Sequence, residues 1–217
     1  MLVIEFKIKE RINMLIAICG IDGSGKTTQI NLLKDYFEKQ GKNIHLTKQP
    51  TNFYRNYDRF RKYVNREISP NNSNIIYELA LLSAADKIRH YETDIRPNAN
   101  KIVISDRYVF SAYAYFIGRG VNDIEWLKDI NIHLPIPDIT IYLDIDPKIA
   151  YERIINRDGG YTKKEETDLE LLSSVRNVFL KQPWGDIPNY NIIKAENRSI
   201  SEIHNEIIEI IESLGLQ

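Results

Sequence analysis

Residues Met14-Leu15-Ile16-Ala17-Ile18-Cys19-Gly20-Ile21-Asp22-Gly23-Ser24-Gly25-Lys26-Thr27 decide how this chain is read. The first six are an uninterrupted apolar run of strand length, and the last eight fill the pattern G-x-x-x-x-G-K-[ST] at every fixed position. The next segment, Lys26 to Gln40, has helical composition and is closed by Gly41. Strand, glycine-rich loop and helix in that order read as a phosphate-binding loop. Backbone N–H groups converge at a helix N-terminus, and glycines at 20, 23 and 25 let the chain approach an anion with no Cβ in the way. In that pattern Lys26 reaches the β- and γ-phosphates and the Thr27 hydroxyl ligates Mg²⁺.

Working outward, 217 residues with 43% apolar and 27% charged side chains are enough for one α/β domain with a full core, expected over residues 14–217. Residues 1–13 precede it as an extension in which Leu2 to Ile8 partly alternates and would suit an edge strand. Lys plus Arg is 29 against 30 for Asp plus Glu, so no overall field draws nucleic acid or an anionic membrane, and any basic site must be local. The single cysteine, Cys19, excludes an intrachain disulfide and reads as a small buried hydrophobe. The four histidines (45, 90, 133 and 204) are scattered, with no zinc-ligand spacing. No apolar run approaches about 20 residues, and the charged residues before Met14 do not suit a signal peptide, so a cytoplasmic location is expected.

Beyond the loop, Asn43 to Thr47 reads as a second strand stopped by Pro50, placing Lys48 and Gln49 at its carboxyl end, where ligands of parallel sheets gather. Arg55, Arg59, Lys62 and Arg66 recur at helical spacing, as a solvated face or as a field for an anion. A long helix is expected from Ile75 towards Arg96-Pro97, with Asp86 and Lys87 late on it. Lys101 to Ser105 is a β-branched strand that delivers Asp106-Arg107-Tyr108, a carboxylate for Mg²⁺ beside a guanidinium for phosphate. Further strands are expected at Ile139–Leu143 and Asn191–Ile193, and helices at 123–130, 148–156, 168–181 and from Ser199 onward. Gly159-Gly160 opens a charged stretch with Lys163 and Lys164 that reads as a lid over about residues 157–167.

The loop, Lys48-Gln49-Pro50, Leu81-Leu82-Ser83-Ala84-Ala85-Asp86-Lys87, Asp106-Arg107-Tyr108 and Leu143-Asp144-Ile145-Asp146-Pro147 stand in the order found in the thymidylate kinase family, which the chain resembles over about residues 14–213. An acidic residue inside the loop at Asp22, joined to Asp106-Arg107-Tyr108 and Ser111, narrows the resemblance to nucleoside monophosphate kinases of that type. It implies a P-loop kinase fold of three layers, α/β/α, around a five-stranded parallel sheet with a lid. It also implies ATP and Mg²⁺, a deoxynucleoside monophosphate acceptor with dTMP favoured, and a homodimer through helices near residues 75–90.

By position, the resemblance implies that Gly20, Gly23, Ser24, Gly25, Lys26, Thr27 and Thr28 hold the donor phosphates and Asn197 lies by the donor base. Asp22 contacts the acceptor's 3′-hydroxyl, Lys48 and Arg107 grip its phosphate, and Tyr115 packs beside C2′. Thr27 and Asp106 organise Mg²⁺, while Arg153, Arg157 and the lid lysines are the catalytic cations. Ser111, Ser83, Lys87 and Ala112 line the acceptor side, and the last three depart from the Phe, Arg and Asn or Thr that the family usually places there. Kinase chemistry needs positioning and charge neutralisation rather than base recognition, so it survives those departures. Two other readings stay open: a kinase for another or modified pyrimidine nucleotide, and a nucleotide-binding module without catalysis. Acceptor-dependent release of ADP separates them.

Overall fold

Strand β1 (Met14–Cys19) is buried along its whole length, and its side chains alternate between two apolar layers: Leu15, Ala17 and Cys19 enter one, Met14, Ile16 and Ile18 the other. A strand covered on both faces needs an unbroken apolar run, which is what residues 14–19 supply. The computed structural model describes residues 12–70, 72–158 and 164–215, with the side chains of 157, 158 and 166 excepted. The possible strand within residues 2–8 and the centre of the expected lid, 159–163, lie outside the described residues.

In chain order the elements after β1 are α1 (Lys26–Lys39), β2 (Ile44–Lys48), α2 (Asn52–Arg55), α3 (Asp58–Val64), α4 (Ser73–His90), β3 (Ile102–Asp106) and α5 (Val109–Gly118). The remaining elements are α6 (Ile124–Asp129), β4 (Ile139–Asp144), α7 (Pro147–Asp158), α8 (Leu169–Lys181), β5 (Tyr190–Lys194) and α9 (Ile200–Ser213). All pairings in the sheet are parallel, in the order β2-β3-β1-β4-β5. The fold is the expected three-layer α/β/α arrangement around five parallel strands. On one face Ile30, Leu33 and Phe37 of α1 meet Ile203, Ile207 and Ile211 of α9. Helices α4, α5 and α8 cover the other, where Tyr142 and Phe179 stack with centroids 4.3 Å apart. Each such buried side chain contributes about 1.5–3 kcal/mol.

Helix starts obey side-chain chemistry: Asn72 caps α4, Asp168 caps α8, and Ser199 with Glu202 forms a reciprocal capping box at α9. Three elements differ from the sequence reading. The second strand is Ile44–Lys48, one residue later than expected, because its ladder with β3 continues through Lys48 opposite Asp106. Residues 53–66 split into α2 and α3, and only Arg55 of their cations turns to the cavity at the strands' carboxyl ends, while Arg59, Lys62 and Arg66 pair with Glu78, Asp58 and Asp168. A third element, for which no helix or strand was expected, is α5, which carries the aromatic residues after Tyr108 with Phe110, Tyr113 and Phe116 buried.

The register places the site. Ile18 lies opposite Asp106 and Asp106 opposite Lys48, so the segments leaving β1, β3 and β2 emerge side by side at one edge of the sheet. The chain leaves β1 towards β2 on one side of the sheet and leaves the adjacent β4 towards β5 on the other, which opens a crevice at the strands' carboxyl ends. Among the described residues no helix is long and apolar enough to cross a membrane.

Candidate active site

The loop after β1 is shaped by close backbone contact. Gly23 has φ +82°, and a Cβ there would overlap the Ala150 carbonyl of α7; Gly25 caps α1 with φ +96°. Both conformations belong to glycine. Lys26, on the first turn of α1, folds back so that its Nζ donates to the Ile21 carbonyl at 2.9 Å and lies 3.7 Å from Asp22 Oδ1. Burial, reinforced by the nearby Arg107 cation, lowers the Lys26 amine to about 8. A buried cation with so little compensation is ready to receive phosphate.

Arg107 leaves β3 with φ +69° and its backbone N–H bonded to the Ile18 carbonyl at 2.9 Å, which ties the β3 exit to β1. Its guanidinium donates to Asp22 Oδ1 at 2.8 Å and lies over the Tyr115 ring, 5.1 Å from the centroid. Lys48 Nζ pairs with Asp106 Oδ2 at 2.8 Å, while Asp106 Oδ1 is buried with no hydrogen-bond partner among the described residues. That unshared carboxylate oxygen, on a residue that lines the same cavity as the exposed Thr27 at the head of α1, suits a hard cation that takes oxygen ligands.

These groups converge on one cavity of about 630 Å³, within the range that holds small organic ligands. Of the residues singled out from sequence, Asp22, Gly23, Gly25, Lys26, Thr27, Thr28, Lys48, Ser83, Lys87, Asp106, Arg107, Ser111, Ala112, Tyr115 and Arg153 line it. Gly20 and Ser24 lie behind the lining, with Ser24 buried. Arg153 reaches the Gly23 carbonyl at 3.3 Å. Asn197 stands apart from the cavity, exposed on the loop between β5 and α9, whose Ile200 carbonyl accepts from Gln29 of α1. Arg157 falls in the last turn of α7, and its side chain is one of those excepted above.

On the far wall, Lys87 of α4 is buried with only Ser83 of its own helix as hydrogen-bond partner among the described residues, through both the carbonyl and the hydroxyl. Burial pulls its amine down to about 7, only partly offset by Asp86, whose carboxylate is already bound to Thr51. Gln49 and Arg55, read from sequence as near the ligand end of β2 and as part of a field for an anion, also line the cavity, whereas sequence reasoning missed Tyr54, Phe60, Phe116, Arg119 and Glu165. Arg119 comes just after α5 and donates to Glu165 at 2.6 and 2.8 Å, with both side chains almost fully buried and Tyr63, Tyr115 and Phe116 around the guanidinium. A charged pair in a cavity wall has no local periodicity to announce it. The one available signal was Arg119 next to an aromatic helix.

A family model described as Thymidylate kinase matches residues 18–207. A protein named probable thymidylate kinase from Thermococcus onnurineus is 39% identical over 211 residues, covering 92% of this chain and 97% of its own. One of the same name from Methanococcus aeolicus is 32% identical, with 91% and 95% covered. The crystal structure of thymidylate kinase from Ehrlichia chaffeensis superposes with a TM-score of 0.61 at 26% identity, over 92% of this chain and 98% of that one.

Proposed function

Because the chain belongs to the thymidylate kinase family, we propose that it transfers the γ-phosphoryl group of ATP to dTMP, giving dTDP and ADP. The observation that carries this reading is the meeting of Lys26, Lys48 and Arg107 with Asp22 and Asp106 on one cavity. Phosphoryl transfer asks a protein for position and charge neutralisation, and that set of groups supplies both.

In this reading the loop amides from Gly20 to Thr28 and the Lys26 ammonium hold the donor phosphates. Lys48 and Arg107 hold the acceptor phosphate from the β2 and β3 side, so that one of its oxygens faces the γ-phosphorus in line. Asp22 carries the 3′-hydroxyl and steadies Arg107, and Tyr115 closes the space beside C2′. Thr27 and the unshared oxygen of Asp106 would hold Mg²⁺, which would supply neutralisation of the phosphates' negative charge. Arg153 and Arg157, at the start of a lid over about residues 157–167, spread the charge developing in transfer. Asn197 borders the donor base. Lys87 and Ser83, with Ala112 and Ser111, form the wall towards the acceptor base, where Lys87 offers N–H donors to a pyrimidine carbonyl.

Residues 14–217 act as one kinase domain. Two copies pair through α4, on which Tyr77 and Leu81 are exposed, and the pair works in the cytoplasm. The test is Mg²⁺- and ATP-dependent release of ADP across dTMP, dUMP, dCMP, dGMP, UMP and thymidine, with Lys26→Ala as control. Highest kcat/KM for dTMP, abolished in the variant, is expected. Preference for another pyrimidine nucleotide would reassign the acceptor, and release without any acceptor dependence would remove the kinase reading.

A further inference from the structure

One stripe of α4 does two things. Ser83 and Lys87 stand at i and i+4 on the helix and line the cavity, while Asp86, at i+3 on the same side, does not line it. Asp86 is 0% exposed, and a carboxylate is buried at a heavy penalty unless its oxygens are hydrogen-bonded. Both oxygens are bonded, and to a single residue: Oδ2 accepts from the Thr51 N–H at 2.9 Å and Oδ1 from the Thr51 hydroxyl. Thr51 is where the chain turns from β2 into α2, and its hydroxyl in turn accepts from the Phe53 N–H as the cap of that helix.

The turn held in this way carries one wall of the cavity. Lys48, Pro50 and Arg55 line that wall, and Arg55 Nε donates to the Pro50 carbonyl at 2.7 Å, which ties the end of α2 to the residue before Thr51. From the sheet, the Gln49 N–H donates to the Asp106 carbonyl at 3.0 Å. From α4 and the π-helical turn Tyr91–Ile95 that continues it, Asp94 accepts from Thr47 Oγ1, and His90 Nδ1 lies 3.1 Å from Gln49 Nε2. The Asp86 contact comes after Pro50, where the ladder with β3 has already ended at Lys48.

We infer that Asp86 is a positioning residue for the acceptor: by clamping Thr51 it sets the separation between the turn that carries Lys48 and Arg55 and the stripe of α4 that carries Ser83 and Lys87. A nucleoside monophosphate has its phosphate and its base at opposite ends of a short, stiff sugar, so one molecule engages both walls only when they stand at the right distance. Asp86 acts on that distance through Thr51 and not by touching the acceptor. The clamp includes no residue of the donor loop 20–28, so its loss should be felt by the acceptor and not by ATP. The inference rests on the acceptor lying with its phosphate at Lys48 and its base towards Lys87, as in the proposed function.

The experiment is calorimetric titration of the full chain with dTMP and, separately, with ATP and Mg²⁺, for the parent, Asp86→Ala, Thr51→Val, the double variant and Thr51→Ser, which keeps the hydroxyl. Asp86→Ala should weaken dTMP binding about tenfold or more and Thr51→Val about threefold or more, the scale of a small misplacement of the binding groups. The double variant should bind dTMP no more weakly than Asp86→Ala, because both changes remove one contact. Thr51→Ser should match the parent, and ATP affinity should stay within about twofold throughout. Equal weakening of ATP and dTMP would mark a general loss of structure and overturn the inference. Losses that add in the double variant would show Asp86 acting by another route, such as its charge beside Lys87, and would overturn it too. If Asp86→Ala does not fold, Thr51→Val against Thr51→Ser decides, and equal dTMP affinity in that pair overturns the clamp. Parent-like dTMP binding in Asp86→Ala and Thr51→Val overturns the inference while leaving the acceptor site standing, whereas a parent protein that does not bind dTMP removes the acceptor reading and this inference with it.

Discussion

Arg107 Nη2 and Asp22 Oδ1 lie 2.8 Å apart although 85 residues separate them in sequence. Their contact joins the exit of β3 to the phosphate-binding loop after β1, so the proposed acceptor-side cation and the donor-side loop are held by one ion pair. Asp22→Asn removes the counter-charge while keeping the shape. The expected result is a fall in kcat/KM of about 10²-fold, the scale of losing one aligned charge-stabilising group. Stability should drop by about 1–3 kcal/mol in urea unfolding, below the figure for a fully buried pair because Asp22 is 36% exposed. Unchanged steady-state kinetics in that variant would dissociate the pair from catalysis.

Gly23 and Gly25 share a left-handed backbone but differ in surroundings. A Cβ at 23 meets the Ala150 carbonyl, whereas a Cβ at 25 meets nothing within 4 Å. Gly25→Ala should cost only the backbone strain, about 1–2 kcal/mol. Gly23→Ala should cost about 1–3 kcal/mol more, because α7 must move away from the loop. Thermal unfolding of the two variants side by side checks the order, and equal losses would contradict the role given to α7.

The Arg119–Glu165 pair couples the end of α5 to the C-terminal end of the expected lid. Glu165→Leu leaves a buried guanidinium unpaired and should destabilise by about 3–5 kcal/mol, while the double variant Arg119→Met/Glu165→Leu should regain much of that loss. A double-mutant cycle by denaturant unfolding measures the coupling; additive losses would show that the pair contributes nothing beyond its members.

Lys87 gives stability a pH dependence of known sign. Its amine titrates at about 7 when folded, against an ordinary value of 10.5. Between those values the unfolded chain binds more protons than the folded one, so the contribution of Lys87 makes stability rise with pH across that window. The slope from this one group reaches of order 1 kcal/mol per pH unit. Below pH 7 both states are protonated and the burial penalty is constant. The difference in unfolding free energy between the parent and Lys87→Met, measured from pH 6.5 to 9.5, should narrow steadily above pH 7. A constant difference would place the Lys87 amine at its ordinary value.

What the chain states locally is its set of elements. The apolar run at 14–19 is a strand buried on both faces, the glycines and Lys26-Thr27 make the loop, and Ser199 with Glu202 begins the last helix, because each depends on residues within a turn or a pleat of one another. The cavity's donor-side groups were legible for that reason, and Lys48 and Asp106-Arg107 because they end strands. Tertiary structure alone decided the rest. The order β2-β3-β1-β4-β5 brings Lys48 onto Asp106 and Arg107 onto Asp22. Packing of α4 against the sheet buries Lys87 without an acid of its own and sets His90 between Asp94 and Gln49. The closing of α5 against the residues before α8 joins Arg119 to Glu165. Those contacts depend on desolvation and on charges from distant segments, and neither quantity exists until the chain has folded around them.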